Sequence, residues 1–421
     1  MTERPDSPTR WQQCAPCGHR LSEMDRHTTC PECGGLLDVM YHAPVGRGVE
    51  LRRLFTSRVS MVGQPRNVSG VWRYAELVMN PPPDCIVSFP EGNTPLISSE
   101  RVASWSGCPG LLLKHEGLNP TGSFKDRGMT AGVTQAKRVG AHAVACASTG
   151  NTSASLAAYA ALAGIPSFVL VPAGQVALGK LQQTLAYGTR ALAVRGDFDA
   201  CLALLRGAAE KLGVYLLNSV NPFRIEGQKT IVFELLQQLD WKAPDWIALP
   251  AGNLGNTGAF GKALDEAVRL GLIDRMPRIL AVQATGAAPF YRAFVSGFDR
   301  LETTRAETIA SAIRIGNPAS FDRGVRAIRL TDGVVVAVPD AAIIEAQRQI
   351  GSAGIGCEPA SATSVAGVRQ AIAGGVIARD QSVVAVLTGH LLKDPMVDES
   401  ASAAGEIDAT LSALESELMK I

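Results

Sequence analysis

Lys125 ends the run Gly117-Leu-Asn-Pro-Thr-Gly-Ser-Phe-Lys125 and is followed by Asp126 and Arg127. Asn119, Pro120, Gly122 and Ser123 open a helix there and put the lysine in its first turn. The positive end of a helix dipole lowers the pKa of such an amine, so a neutral, nucleophilic nitrogen is easier to reach. That nitrogen suits imine chemistry, although the lysine alone also fits a solvated side chain on a capped helix. A second run, Ser148-Thr-Gly-Asn-Thr152, follows a predicted strand. Its hydroxyls, its amide and the free N–H groups of the next helix can converge on a carboxylate or a phosphate. A helix cap explains one such residue but does not require five small polar residues in a row.

The third junction is Pro250-Ala-Gly-Asn-Leu-Gly-Asn256, directly after a strand ending at Leu249. Within Gly252, Asn253, Leu254, Gly255 and Asn256 the glycines let the backbone approach a phosphate closely, and a helix from Thr257 offers unpaired N–H groups. The run has neither a dinucleotide fingerprint nor a Walker Lys-Ser/Thr pair, so a small monophosphate fits it best. Thr388 stands at the end of a late strand. An activated lysine, an anion-binding loop, a phosphate cradle and a terminal hydroxyl are together the parts of a pyridoxal-phosphate site.

A separate chemistry is written in Cys14, Cys17, Cys30 and Cys33, two Cys-x2-Cys knuckles with glycine after Cys17 and Cys33 and twelve residues between them. Four thiolates so spaced can hold zinc tetrahedrally in a closed, structural shell. His19 and His27 lie inside the unit, but the shell is already complete, so they read as solvated or supporting residues. Disulfides are the alternative in an oxidising compartment. Cys85, Cys108, Cys146, Cys201 and Cys357 are scattered and read as small buried hydrophobes, with Cys357 in a glycine-rich segment.

The elements that must position these residues follow from pattern. At 421 residues the chain is long enough for two or three units, and 46% hydrophobic against 19% charged residues is the balance of a globular protein. The formal charge of +1 leaves no global field to gather nucleic acid or an anionic membrane, so no partner of either kind is expected. Residues 1–14 lack the apolar core of a signal peptide, and no run of about 18 apolar residues occurs, which predicts a cytoplasmic location. After the cysteine-rich unit at 11–42 and the Pro81-Pro82-Pro83 run, β-branched runs alternate with Ala- and Leu-rich helical patterns. This is α/β construction around largely parallel sheets. Strands are predicted at 142–148, 167–171, 246–250, 279–283, 334–338 and 383–387, and helices at 153–162, 226–239 and 257–270. Two α/β units, one at 108–224 and one after it, are expected to face each other across a cleft, with ligands beyond the carboxyl ends of the strands.

Taken in order, Glu91-Gly-Asn-Thr-Pro-Leu96, Asn119 to Arg127, Ser148 to Thr152, Asn218-Ser-Val-Asn-Pro-Phe-Arg-Ile-Glu-Gly-Gln-Lys229, Ala312 to Pro318 and Leu387-Thr-Gly-His390 resemble the threonine synthases. The resemblance runs from the cysteine cluster almost to the C-terminus. It implies two open twisted-sheet α/β domains of the tryptophan synthase β-like class (fold-type II), with a small N-terminal zinc ribbon. The expected division is a ribbon at 11–42, a large domain at 43–107 and 225–421, and a small α/β domain at 108–224. It also implies that Lys125 holds pyridoxal 5′-phosphate as a Schiff base, Asn151 meets the 3′ oxygen and residues 252–256 cradle the cofactor phosphate. Phe124 would lie beside the ring and Thr388 would meet the pyridine nitrogen. The implied substrate is O-phospho-L-homoserine, its carboxylate on Ser148 and Thr149 and its phosphate near Thr152, Asn218, Arg224 and Asn253. Arg224 alone also fits a surface arginine paired with Glu226. The implied product is L-threonine, and the implied assembly is a homodimer. Leu391 and Gly356-Cys357 depart from the family pattern at the pocket edge, which keeps a cysteate synthase or another replacement enzyme on a phosphorylated amino acid in view. A zinc-ribbon nucleic-acid-binding protein is the rival from another class, and the near-neutral charge opposes it.

Overall fold

In chain order the strands of this computed structural model are β1 (Arg10–Cys14), β2 (Arg20–Ser22), β3 (Leu37–Tyr41), β4 (Leu96–Ser98), β5 (Leu111–His115), β6 (Ala143–Ala147) and β7 (Ser167–Pro172). They continue with β8 (Arg190–Val194), β9 (Val214–Leu216), β10 (Trp246–Pro250), β11 (Arg278–Ala284), β12 (Val334–Val338) and β13 (Val383–Leu387). The structure describes residues 9–42, 46–59, 63–173, 178–196, 198–394 and 406–419.

The larger sheet has the order β12-β11-β10-β13-β5-β4, parallel except for the antiparallel edge strand β4. Every residue of β10 and β13 is buried, which is why both read as unbroken apolar runs rather than as alternation. Parallel strands release their loops at one end of the sheet. The turns after β5, β13 and β10, which carry Lys125, Thr388 and Gly252–Asn256, therefore emerge side by side. Leu111–His115 belongs to this sheet although it falls within 108–224: it pairs with β13 as a parallel neighbour, and Leu111 and Leu113 share a core cluster with Val383, Ala385 and Leu387. The smaller sheet, β8-β7-β6-β9, is wholly parallel and sets the Ser148 turn after β6 beside Asn218 after β9.

Three helices begin earlier than the patterns predict, and each shift brings site residues into a first turn. The helix after β6 starts at Asn151, that after β9 at Pro222 and that after β10 at Gly255. Pro222 suits the first helical position, where its missing N–H costs nothing, and the Asn221 side chain accepts hydrogen bonds from the N–H groups of Phe223 and Arg224.

The Lys125–Arg138 helix crosses the Pro222–Gln238 helix so closely that a Cβ on Gly227 would lie 1.9 Å from the Arg127 carbonyl oxygen. Beneath this crossing Arg127 is wholly buried. It donates to Glu116 at 2.7 Å and to Glu234 at 2.7 Å, while Lys114 donates to Glu234 at 2.7 Å. A buried cation is tolerated only when paired and fully hydrogen-bonded, and this network meets both conditions.

The three-stranded antiparallel sheet β2-β1-β3 forms the N-terminal unit. Several contacts hold it to the body, among them ion pairs. Arg138 pairs with Glu23 at 3.0 Å, and Arg323 of the Phe321–Leu330 helix pairs with Asp38 at 3.0 Å and also donates to the Leu37 carbonyl. Among the described residues no helix is long and apolar enough to cross a membrane.

Candidate active site

The turn before Lys125 is stitched to the turn after β13. The Phe124 N–H donates to the Thr388 carbonyl at 3.0 Å, and the His390 N–H donates to the Gly122 carbonyl at 2.9 Å. Lys125 thereby begins its helix next to Thr388, with its nitrogen 3.8 Å from the centre of the Phe124 ring. Asp126 locks the same turn, accepting from the Thr121 N–H at 2.7 Å, the Thr121 hydroxyl at 2.6 Å and the Ser155 hydroxyl at 2.6 Å. Ser155 lies on the Asn151–Ala163 helix, so one carboxylate joins the lysine turn to the helix that carries Asn151 and Thr152.

Burial is the first reason the Lys125 amine is pushed down to about 7, and the charge of Arg224 is the second. Among the described residues the amine forms no salt bridge.

Arg224 is buried, donates to the Leu217 carbonyl at 3.0 Å, and leaves its Nε without a partner. It does not pair with Glu226, whose carboxylate goes to Lys229 at 2.6 Å and to Lys262. Burial without a carboxylate lowers Arg224 to about 10. Ser148, Thr149 and Thr152 are half-buried at the start of the Asn151 helix. Asn218 hydrogen-bonds the Ala147 backbone through both ends of its amide at 3.4 Å.

At the third junction Leu254 takes a positive φ of 63° as the helix beginning at Gly255 opens. Gly252 passes so close to Ile313 that a Cβ would come within 3.0 Å of its Cα. Asn253 accepts from the Ala319 N–H through its side chain at 3.0 Å and from the Ser320 N–H through its carbonyl at 3.1 Å. Both amide atoms of Asn256, the Thr257 hydroxyl, the Ser320 hydroxyl and Gln228 Oε1 are buried without a partner. Of these, Asn256 Nδ2 and the Thr257 and Ser320 hydroxyls are donors without a partner around a helix N-terminus, and an anionic group fits them.

Glu358 was not anticipated as a site residue. Its carboxylate accepts from the Asn151 amide at 2.9 Å and from the Thr388 hydroxyl at 3.4 Å. In the sequence it is a single acidic residue before Pro359; it takes the N-cap position of the Pro359–Ala373 helix without a side-chain capping hydrogen bond. Gln228, Thr257 and Ser320 were likewise not singled out, Gln228 although it lies within the Asn218 to Lys229 run.

In the N-terminal unit all four thiol sulfurs lie within 4.8 Å of one another, with separations of 3.4 Å for Cys14 to Cys33 and 3.7 Å for Cys17 to Cys30. None is in a disulfide. Zinc–sulfur bonds of about 2.3 Å in a tetrahedron place sulfurs roughly 3.8 Å apart, so the cluster fits such an ion.

A lysine with a lowered pKa, beside an anion cradle at the carboxyl ends of parallel strands, defines a cofactor-carrying enzyme site. The family profile described as "Pyridoxal-phosphate dependent enzyme" matches residues 87–389. The chain is 46% identical over 405 residues to the threonine synthase of Methanosarcina acetivorans, covering 96% of this chain and 97% of the relative. It is 45% identical over 386 residues to that of Methanocaldococcus jannaschii, covering 91% and 93%. The chain belongs to the threonine synthase family of pyridoxal-phosphate dependent enzymes. Its fold is shared with the crystal structure of threonine synthase from Escherichia coli, with a TM-score of 0.69 at 19% identity over 97% of this chain and 99% of that one. The expected fold-type II architecture is therefore the observed one.

Proposed function

We propose that the chain converts O-phospho-L-homoserine to L-threonine, releasing phosphate from Cγ and adding water at Cβ, with pyridoxal 5′-phosphate carried on Lys125. The observation that carries this reading is Arg224. It is a buried guanidinium with no salt bridge among the described residues, close enough to Lys125 to lower its pKa. Such a charge calls for an anionic ligand, and guanidinium suits phosphate.

The cofactor, when bound, supplies the electron sink that makes loss of protons from carbon feasible. Asn151 and Thr388 would hold the edge of its ring, Phe124 would flank it, and Gly252 to Asn256 would take its phosphate with Thr257 and Ser320. Ser148 and Thr149 would bind the substrate carboxylate. Arg224, with Thr152, Asn218 and Asn253, would bind the substrate phosphate. The Lys125 nitrogen, once exchanged for the substrate amine, is the group placed to move protons at Cα and Cβ. Cys14, Cys17, Cys30 and Cys33 would hold a structural zinc ion. A homodimer in the cytoplasm completes the reading.

The test is phosphate release and product identification with O-phospho-L-homoserine, compared with O-phospho-L-serine plus a nucleophile. Threonine from the first supports the proposal. Turnover of the second alone would assign a replacement enzyme such as a cysteate synthase, and neither turnover nor a borohydride-sensitive absorbance would refute both.

A further inference from the structure

Glu358 joins two residues that the sequence places more than two hundred positions apart. Its Oε2 accepts from Asn151 Nδ2 at 2.9 Å, and its Oε1 accepts from the Thr388 hydroxyl at 3.4 Å. The carboxylate sits against the backbone of the turn after β13, where a Cβ on Gly389 would fall 2.4 Å from its carbon. The Glu358 N–H donates to the Gly389 carbonyl at 3.1 Å, and Ser361, one turn along the same helix, approaches Thr388 at 3.1 Å and accepts from the Gly389 N–H at 2.8 Å. The Glu358 backbone is thus fixed against the turn after β13, and its carboxylate lies between Asn151 and Thr388.

We propose that Glu358 is the positioning residue that orients Asn151 and Thr388 toward the cofactor ring. This rests on the reading that those two residues meet the 3′ oxygen and the ring nitrogen. These two cofactor atoms flank the methyl-bearing ring carbon, so a group that touches both of their partners lies along that edge of the ring. The hydrogen-bond inventory then fixes two orientations. An ionised carboxylate only accepts, so it selects the Asn151 rotamer with nitrogen toward Glu358, and the second N–H of that amide is left for the cofactor oxygen. A Thr388 hydroxyl that donates to Glu358 turns a lone pair outward, which favours a protonated ring nitrogen and strengthens the electron sink. Lys125, Lys393 and Asp394 are the charged groups around it, and burial holds the Glu358 carboxyl above its ordinary range when those are its only company.

The test compares full-length wild type, Glu358→Gln, Asn151→Ala and the variant carrying both substitutions, each freed of cofactor and titrated with pyridoxal 5′-phosphate. The dissociation constant, the pH dependence of bound-cofactor absorbance and the unfolding midpoint without cofactor are read. Gln can present a donor where the carboxylate only accepts. Glu358→Gln is therefore expected to raise the dissociation constant about tenfold or more and to move the absorbance transition by about one pH unit. The cofactor-free midpoint should hold or rise, because a buried carboxylate has been removed. The double variant should lose less than the sum of the two single losses, since the residues act as a unit. A dissociation constant within about twofold of wild type, a loss of affinity matched by an equal loss of cofactor-free stability, or strict additivity with Asn151→Ala would each overturn the proposal. Wild type that takes up no cofactor would overturn the site reading and this inference together, whereas loaded wild type with an unaffected variant would overturn this inference alone.

Discussion

Lys125 has a pKa of about 7 where an unperturbed lysine has one near 10.4, and the difference is a kinetic statement. Below that value the nitrogen is protonated and does not attack an aldehyde; above it the free amine predominates. The rate of cofactor attachment to the stripped protein is therefore expected to rise with pH and to reach half its plateau near pH 7, measured by stopped-flow absorbance. Arg224 is the second cause of the low value, so Arg224→Ala should move that midpoint upward while weakening the phosphorylated substrate. Truncating one partner of a buried charge pair costs about 2–5 kcal/mol, or roughly a 30- to several-thousand-fold rise in KM. Lys125→Ala should abolish turnover and the borohydride-sensitive absorbance together. Lys125, Asn151, Arg224 and Thr388 each sit in a run of several informative residues, which is why the sequence singles them out as candidates. Glu358 was not singled out, since a single carboxylate before a proline is indistinguishable from a helix cap until the fold brings Asn151 and Thr388 to it. Leu391 and Gly356, two separate departures from the family pattern, turn out to be neighbours. A Cβ on Gly356 would lie 3.1 Å from the Leu391 Cβ, so the smaller residue makes room for the larger.

Among the elements, β10, β12 and β13 were read to their limits because strands buried on both faces are plain apolar runs. The short strands β4, β8 and β9 were not: β4 and β8 have no clear alternation of exposure, and the three buried residues of β9 are too few to show a period. The helix starts were placed late because capping turns look like loops in sequence. The crossing of the Lys125 and Pro222 helices was invisible for a different reason. Gly227 in a helix reads as a propensity cost, whereas here its bare Cα admits the Arg127 carbonyl. Gly227→Ala is expected to destabilise the protein by about 3 kcal/mol or more, because a backbone carbonyl cannot yield as a side chain can; equilibrium urea unfolding checks this. The ionic network beneath the crossing has its own signature. Desolvation opposes ionisation of Glu234, but Arg127 and Lys114 overcome it and hold the carboxyl well below its ordinary value. A carboxyl depressed in the folded state adds stability above its unfolded pKa of about 4.3 and loses it as pH falls toward the folded value. Glu234→Ala should therefore cost about 3–5 kcal/mol at pH 7 and progressively less below pH 4. Denaturant titrations at the two pH values decide it.

At the scale of the whole molecule, a chain of contacts runs from the N-terminal sheet to the proposed phosphate cradle. In register, Cys14 lies opposite Leu37, whose carbonyl and neighbouring Asp38 hold Arg323. The helix of Arg323 begins beside Ser320, whose N–H donates to the Asn253 carbonyl in the proposed phosphate cradle. The four cysteines were evident from spacing; this path was not, because Asp38 and Arg323 carry no motif and lie far apart in the chain. Removing metal from the cysteine cluster is expected to weaken cofactor binding by about 5- to 100-fold while the body stays folded, measured by cofactor titration alongside far-ultraviolet circular dichroism. Batches prepared through strong chelators would then differ in how many molecules are charged, each charged molecule working at its usual speed. Activity divided by bound cofactor would stay constant from batch to batch, and activity per milligram would drift.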